Sequence, residues 1–218
     1  MHPPVTPSSD AAAEPPSARL GDWILMPSGT EFHVLDPRPE EVRIDDIAHC
    51  LAHTCRFHGS TRHHYSVAQH SVYVAWLLRR ESAQTRLQAL LHDASESYLP
   101  DLAPQVKHAI PGFGRLEAAL WSAVAQRFEV PETKPPVLKA ADLACLWAEL
   151  DQLLPAHRHP GLEGTLTALE AAFPALVSEA RRLRIRERSP RQARERFLAH
   201  WDRTRAAHER ERLAAASG

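Results

Sequence analysis

Apolar side chains recur along most of this chain at intervals of three and four. In IDDIAHCLAHTCRF (44–57), Ile47, Leu51 and Cys55 fall on every fourth residue, one stripe of an amphipathic helix. A second helix opens at Ser66, whose Ser-x-x-Gln spacing with Gln69 is a capping box, and Val67, Val74, Leu77 and Leu78 supply its apolar face. A third runs from about Ser82 into LLHDASESYLPD (90–101), with Leu87, Leu90 and Leu91 inward. GFGRLEAALWSAVAQRF (112–128) is a fourth, with Leu116, Leu120, Ala123 and Val124 on one side. PPVLKAADLACLWAELDQLLP (135–155) is a fifth, started by proline and stopped by Pro155. HRHPGLEG (157–164) reads as a loop before more helix. Ser189-Pro190 with Gln192 starts a last helix, which Phe197, Leu198 and Trp201 could dock. Only DWILMPSGTEFHVLD (22–36) departs, with two short β-prone runs around a Pro-Ser-Gly turn. The expectation is an all-α helical bundle with a small N-terminal β-hairpin.

Composition bounds the organisation. A length of 218 residues, 44% of them hydrophobic, suits one core with extensions better than two domains. The expected parts are a disordered tail over 1–20, rich in Pro, Ala and Ser, a helical core with the hairpin over 21–180, and an Arg-rich helical extension over 181–218. There is no run of about 18 apolar residues for a membrane span, and the N-terminus has no apolar segment of a secretory signal. Cys50, Cys55 and Cys145 form no CxxC pair and fit reduced thiols in a cytoplasmic protein. The formal net charge of -1 hides an asymmetry, since residues 181–212 hold 12 arginines against five acidic residues. Such an end can meet nucleic acid, but these arginines alternate with Glu and apolar residues, as on a solvated helix. That pattern disfavours a nucleic-acid partner.

The chemistry lies where polar residues break the apolar stripes. His70 stands four residues before Val74 and seven before Leu77, on the face of core residues. His92 and Asp93 interrupt the leucine-rich third helix. Asp142 occupies the stripe of Leu138, Cys145 and Leu146. Singly, a histidine on an apolar face is more often a hydrogen-bonded core residue, and a lone aspartate an acceptor between helices. Together the four are explained by one cation, because buried carboxylates need a partner. Two His and two Asp suit one divalent transition metal such as Mn, Co, Fe, Ni or Zn better than Mg. Six-coordinate geometry would leave two positions for water and substrate.

The same residues carry a family resemblance. His70, then HD 22 residues on, then the Asp of KAADLA 49 further, resembles the HD-domain metal-dependent phosphohydrolases. LLHDASESYLPDLAPQVK is similar to the HDASE…D(L/I)P…K signature of the branch that includes bacterial 5′-deoxynucleotidases. DIAHCLAHTCRFHGSTRHHYSVAQHS resembles the leading part of related phage and bacterial proteins. The resemblance spans roughly residues 22–155. It implies an HD-type helical fold, one metal, and release of phosphate from (deoxy)nucleoside 5′-monophosphates by attack of a metal-activated water. His70, His92, Asp93 and Asp142 match the metal ligands, Glu96 the acid assigned to proton transfer, and Asp101 a second acid near water or sugar. Arg56 falls where the family places a phosphate-binding arginine, with Arg62 one alternative. Pro100 and the LAP register depart from the pattern and bear on the pocket wall.

Physical chemistry agrees with these roles. A phosphate monoester carries about two negative charges near neutral pH, and the planar fork of Arg56 could clamp one of its oxygens. Glu96 could hydrogen-bond water or protonate the leaving oxygen, though a surface glutamate is its plain alternative. Asp101 could equally be a helix N-cap or turn residue, and Lys107 a phosphate contact or a solvated lysine. His63 and His64 could line the pocket mouth, while His49 and His53 read as surface or packing residues. Dinuclear members of the family that the chain resembles generally carry two further histidines between HD and the last Asp; only His108 lies there, so the resemblance implies one metal. A nucleoside triphosphate could use the same groups, and a non-catalytic nucleic-acid module is the third reading. A homodimer could form on an exposed helix bearing Trp121 or Trp201.

Overall fold

The computed structural model describes residues 19–154 and 160–216, so the expected tail falls, except for its last two residues, outside the described residues, as does Pro155. Among the described residues the chain is almost entirely helical, with one two-stranded sheet. Strands β1 (Ile24–Leu25) and β2 (Glu31–Phe32) pair antiparallel, Ile24 opposite Phe32 and Leu25 opposite Glu31. The turn closes through Gly29, whose φ of 84° a side chain would resist. Two bonds from Ser28, N to Oδ1 at 2.8 Å and Oγ to Oδ2 at 2.7 Å, reach buried Asp46 and hook the hairpin onto the first helix. Phe32 is fully buried and stacks on Tyr98 with ring centroids 3.9 Å apart. Arg19 is tied to Asp36 and Glu41, which fixes the start of the described chain.

Helix α1 spans Ile44–His53, shorter than its sequence stripe. Ile47 and Leu51 are fully buried as expected. Cys55, however, lies beyond the helix end, where it bridges Ser66 in a short antiparallel contact. Helix α2 (Val67–Leu77) starts with both hydrogen bonds of the Ser66–Gln69 capping box. Its burial is not confined to one stripe: Val67 to Val72, Val74, Ala75 and Leu77 are all buried. A helix apolar nearly all round belongs at the centre, and α2 packs on α1, α3, α6, α8 and α9.

Helix α3 (Ala83–Leu91) is capped by Ser82 and ends at His92, followed by a tight 3-10 turn at Ala94–Ser97. After the short α4 (Pro104–Ala109) come α5 (Phe113–Phe128) and α6 (Pro136–Leu153), both within a residue or two of their expected bounds. Residues 157–164 do not form the single loop that their Pro and Gly suggest: α7 begins at Pro160 and runs to Ala172, since proline is tolerated in a first helical turn. Helix α8 covers Pro174–Arg182. The extended residues 183–189 have their backbone polar groups caught by glutamines: Gln152 accepts from Ile185 N and donates to Leu183 O, and Gln69 donates to Arg186 O.

Helix α9 (Pro190–Ala216) begins with the expected Ser189–Gln192 reciprocal bonds. It packs on α1, α2 and α3 through the stripe Ala193, Phe197, Thr204 and His208, and is therefore part of the bundle wall. Trp201 lies edge-on to Phe128, centroids 4.7 Å apart. No helix among the described residues is long and apolar enough to cross a membrane. Because Phe197 is fully buried, Phe197→Ala is expected to lower unfolding free energy in urea by about 3–5 kcal/mol. A loss under about 1 kcal/mol would show that α9 is not part of the core.

Candidate metal centre

His70 enters the interior from the buried centre of α2. His92 and Asp93 reach it through a break in the chain. On a continuous helix adjacent residues point about 100° apart, so neighbours cannot share a site without a change of direction. Here α3 stops at Leu91. The His92 ring donates through Nδ1 to Ala89 O at 2.8 Å, and Lys134 Nζ donates to His92 O at 2.8 Å, so both satisfy carbonyls at the helix end. The turn that follows swings the Asp93 carboxylate back beside its neighbour. Asp142 projects from the second turn of α6.

The four groups converge. His92 Nε2 lies 3.2 Å from Asp93 Oδ2, and His70 Nε2 lies 3.3 Å from both His92 Nε2 and Asp142 Oδ1. Two further separations are 3.7 Å between His70 Nε2 and Asp93 Oδ2 and 4.0 Å between His92 Nε2 and Asp142 Oδ1. Ligands about 2.0–2.1 Å from a common ion stand roughly 2.9 to 4.2 Å apart as their angle opens from right to straight. All five distances fall in that span. Both histidines place Nδ1 on a carbonyl or carboxylate, His92 on Ala89 O and His70 on Glu149 Oε1 at 2.6 Å. With Nδ1 carrying the hydrogen, each Nε2 turns a lone pair to the centre. Without a proton on either Nε2, four acceptors would face one another.

That arrangement calls for positive charge. Burial opposes the charged Asp93, yet His92 and His70 hold it well below the ordinary carboxylate range. Burial likewise opposes the charged Asp142, which His70 and His92 pull down further still. At His70, burial and Arg56 oppose a proton, and Glu149, Cys145 and Asp142 overcome them, so its pKa rises. A single proton would satisfy one pair, whereas a divalent ion could meet all four groups at once. His70, His92 and Asp93 by themselves make up a group able to hold a metal ion.

Glu149 was not singled out by its position in the sequence. It is fully buried one turn past Cys145 on the inner stripe of α6. Oε1 accepts from His70 Nδ1, from Tyr65 Oη at 2.8 Å and from Cys145 Sγ at 3.4 Å. Oε2 accepts from Arg56 Nε at 3.2 Å and Nη2 at 2.9 Å. Burial would raise its pKa, but Arg56, His70 and Tyr65 bring it to about 2. His70, Cys145 and Glu149 also lie close enough to hold an ion. This second group is already satisfied by hydrogen bonds, and burial beside Glu149 pushes the Cys145 thiol up to about 12.

Around the four acceptors stand other expected residues. Arg56 Nη1 is 3.9 Å from Asp93 Oδ2 and has no hydrogen-bond partner among the described residues. The backbone after it is left-handed at Phe57 (φ 52°), His58 (φ 51°) and Gly59 (φ 77°), conformations costly for side-chain-bearing residues. In the 3-10 turn the Glu96 N–H bonds Asp93 O at 2.9 Å, and the two carboxylates feel each other's charge. Glu96 is buried, not a surface residue. Its Oε1 takes Lys107 Nζ at 3.3 Å while Oε2 has no partner. Burial, Asp93 and Asp101 raise its pKa to about 8 against Lys107 and Arg56. Asp101 is half-buried in the field of Arg56, Asp93 and Lys107. It is no N-cap, since α4 starts from Ala103 without a side-chain cap.

Arg62 and His63 are not brought to the ligands. Arg62 is exposed and engages Leu153 O through its backbone; the His63 ring has a buried, unpartnered Nε2. His49 and His53 stack on each other along α1, centroids 4.3 Å apart. The Trp121 ring lies under Lys134 and donates to Glu132 O. Lys134 was unmarked in sequence because a lysine in a proline-rich loop reads as solvated.

No family model matches the chain. It is 41% identical over 142 residues to the uncharacterized protein RCAP_rcc00048 of Rhodobacter capsulatus, covering 60% of this chain and 72% of that protein. It is also 34% identical over 122 residues to the uncharacterized protein YfdR of Escherichia coli K12, covering 56% of this chain and 67% of YfdR. The chain belongs to the same family as these two proteins.

The raised pKa of Glu96 has a direct consequence. In metal-free protein its contribution to stability is fully present below its ordinary value of 4.5 and is lost as pH rises through about 8. Glu96→Gln, neutral at every pH, should therefore melt higher than wild type at pH 9, by about 2–4 °C per kcal/mol gained. The gap should close towards pH 5. Equal melting at pH 9 would show that Glu96 ionises without penalty.

Proposed function

We propose that this chain is a metal-dependent phosphohydrolase of the HD type, releasing phosphate from (deoxy)nucleoside 5′-monophosphates. The observation that carries the reading is the inward-facing set of His70, His92, Asp93 and Asp142, beside the Arg56 Nη1 edge that faces Asp93 and a buried acid with one unpartnered oxygen. One divalent transition ion bound there would act as a Lewis acid towards a phosphoryl oxygen and acidify water.

The other roles belong to the chain's own groups. Arg56 keeps Nε and Nη2 on Glu149, so Nη1 is left to receive a phosphate oxygen next to Asp93. Lys107 occupies Oε1 of Glu96 and leaves Oε2 free to pass a proton to the departing 5′ oxygen. A pKa of about 8 keeps that proton in place near neutral pH. Asp101 adds negative charge beside Glu96 and so helps to hold it protonated. A nucleoside triphosphate is the second reading, favoured by Lys134 on His92 O and Lys139 on Asp142 Oδ2 at 2.9 Å, two ammonium groups beside the ligands.

Purified protein assayed with a nucleotide panel and added manganese or cobalt should release orthophosphate from monophosphates. Pyrophosphate or triphosphate would select the second reading. No release from any nucleotide by metal-loaded protein would end both. Asp93→Ala should lose metal and turnover together. Glu96→Gln should keep the metal while kcat falls about 10²–10⁴-fold, and undiminished turnover would remove its proton-transfer role.

A further inference from the structure

Glu149 holds two kinds of group with its two oxygens. On one side is His70, whose opposite nitrogen faces the acceptor cluster; on the other is Arg56, whose free Nη1 faces the same space. We propose that Glu149 is a positioning residue that aligns a cation ligand and an anion-binding arginine at once, tying the affinities for metal and phosphate to one buried carboxylate. This inference rests on the reading of the site as a metal centre that takes a phosphate.

The geometry supports the double role. A histidine that ligates through Nε2 is fixed in ring angle and tautomer by whatever accepts from Nδ1, and a carboxylate there raises ligand basicity. The 2.6 Å contact from His70 Nδ1 to Oε1 supplies that partner. Arg56 is bound through Nε and Nη2 to a single oxygen, which sets the plane of its guanidinium and the direction of Nη1. Tyr65 Oη and Cys145 Sγ donate to Oε1 as well, so the carboxylate is held from several elements and cannot swing to serve one client alone. A glutamate that only neutralised Arg56 would have no cause to meet His70.

Titration calorimetry of the 218-residue chain with divalent manganese, then with inorganic phosphate on manganese-saturated protein, tests the idea. Glu149→Gln should bind manganese about 10–100-fold more weakly and phosphate about tenfold more weakly, with helical circular dichroism unchanged. Folded variant protein that holds both within about threefold of wild type, or loses only one, overturns the shared role. Wild type that takes up no manganese would instead remove the metal reading beneath it. A measurement on zinc-loaded wild type needs no variant: nitrogen-15 spectra should show the His70 ring protonated at Nδ1 and not at Nε2. A proton on Nε2 would overturn the alignment even if Glu149→Gln failed to fold.

Discussion

Two imidazoles and two carboxylates are drawn into one helical interior, and the need to match their charge is the constraint under which the rest of the bundle is arranged. Charges in a core cost several kcal/mol each unless matched. The chain matches them by placing α2 at the centre, where His70 can be met from α3 and α6 together. It then sets Arg56 and Lys134 near these groups, each secured by a further hydrogen bond. The two local irregularities near the centre, the stop of α3 at His92 and the left-handed run after Arg56, sit where regular helix would aim these side chains elsewhere.

Much of this was legible in the sequence, for physical reasons. Helices with capping boxes and apolar stripes declare themselves, so α2 and α9 start where Ser66 and Ser189 indicate. His70 and Asp142 were visible because each is an ionisable group in register with leucines and valines. Other features carried no such mark. The end of α3 at Leu91 was hidden, because a carbonyl there is satisfied by a lysine 42 residues downstream, which no local pattern announces. Glu149 could have been found, being seven residues past Asp142 on the same stripe; its place in a run with Asp151 and Gln152 made it look like solvated helix. Cys55 was assigned to α1 by period alone, and a period cannot show where backbone pairing with Ser66 takes over.

The arginine surplus at the C-terminus has a structural use that composition could not reveal. Arg194 meets Asp45 of α1, Arg205 and Arg212 meet Glu129 at the end of α5, and Arg181 meets Glu170. Exposed pairs of this kind contribute at most about 1 kcal/mol each, so the docking of α9 rests on Phe197 and its neighbours. The pairs do, however, cancel much of the local charge, which leaves less of it for a polyanion.

Cys145 extends the picture to reactivity. Its sulfur donates to the Glu149 carboxylate, yet it is fully buried and its thiol stays protonated far above neutral pH. Only the thiolate attacks alkylating agents or peroxides at useful rates. Cys145 itself is therefore shielded from oxidants and iodoacetamide-type reagents, although its sulfur lies at the edge of the site.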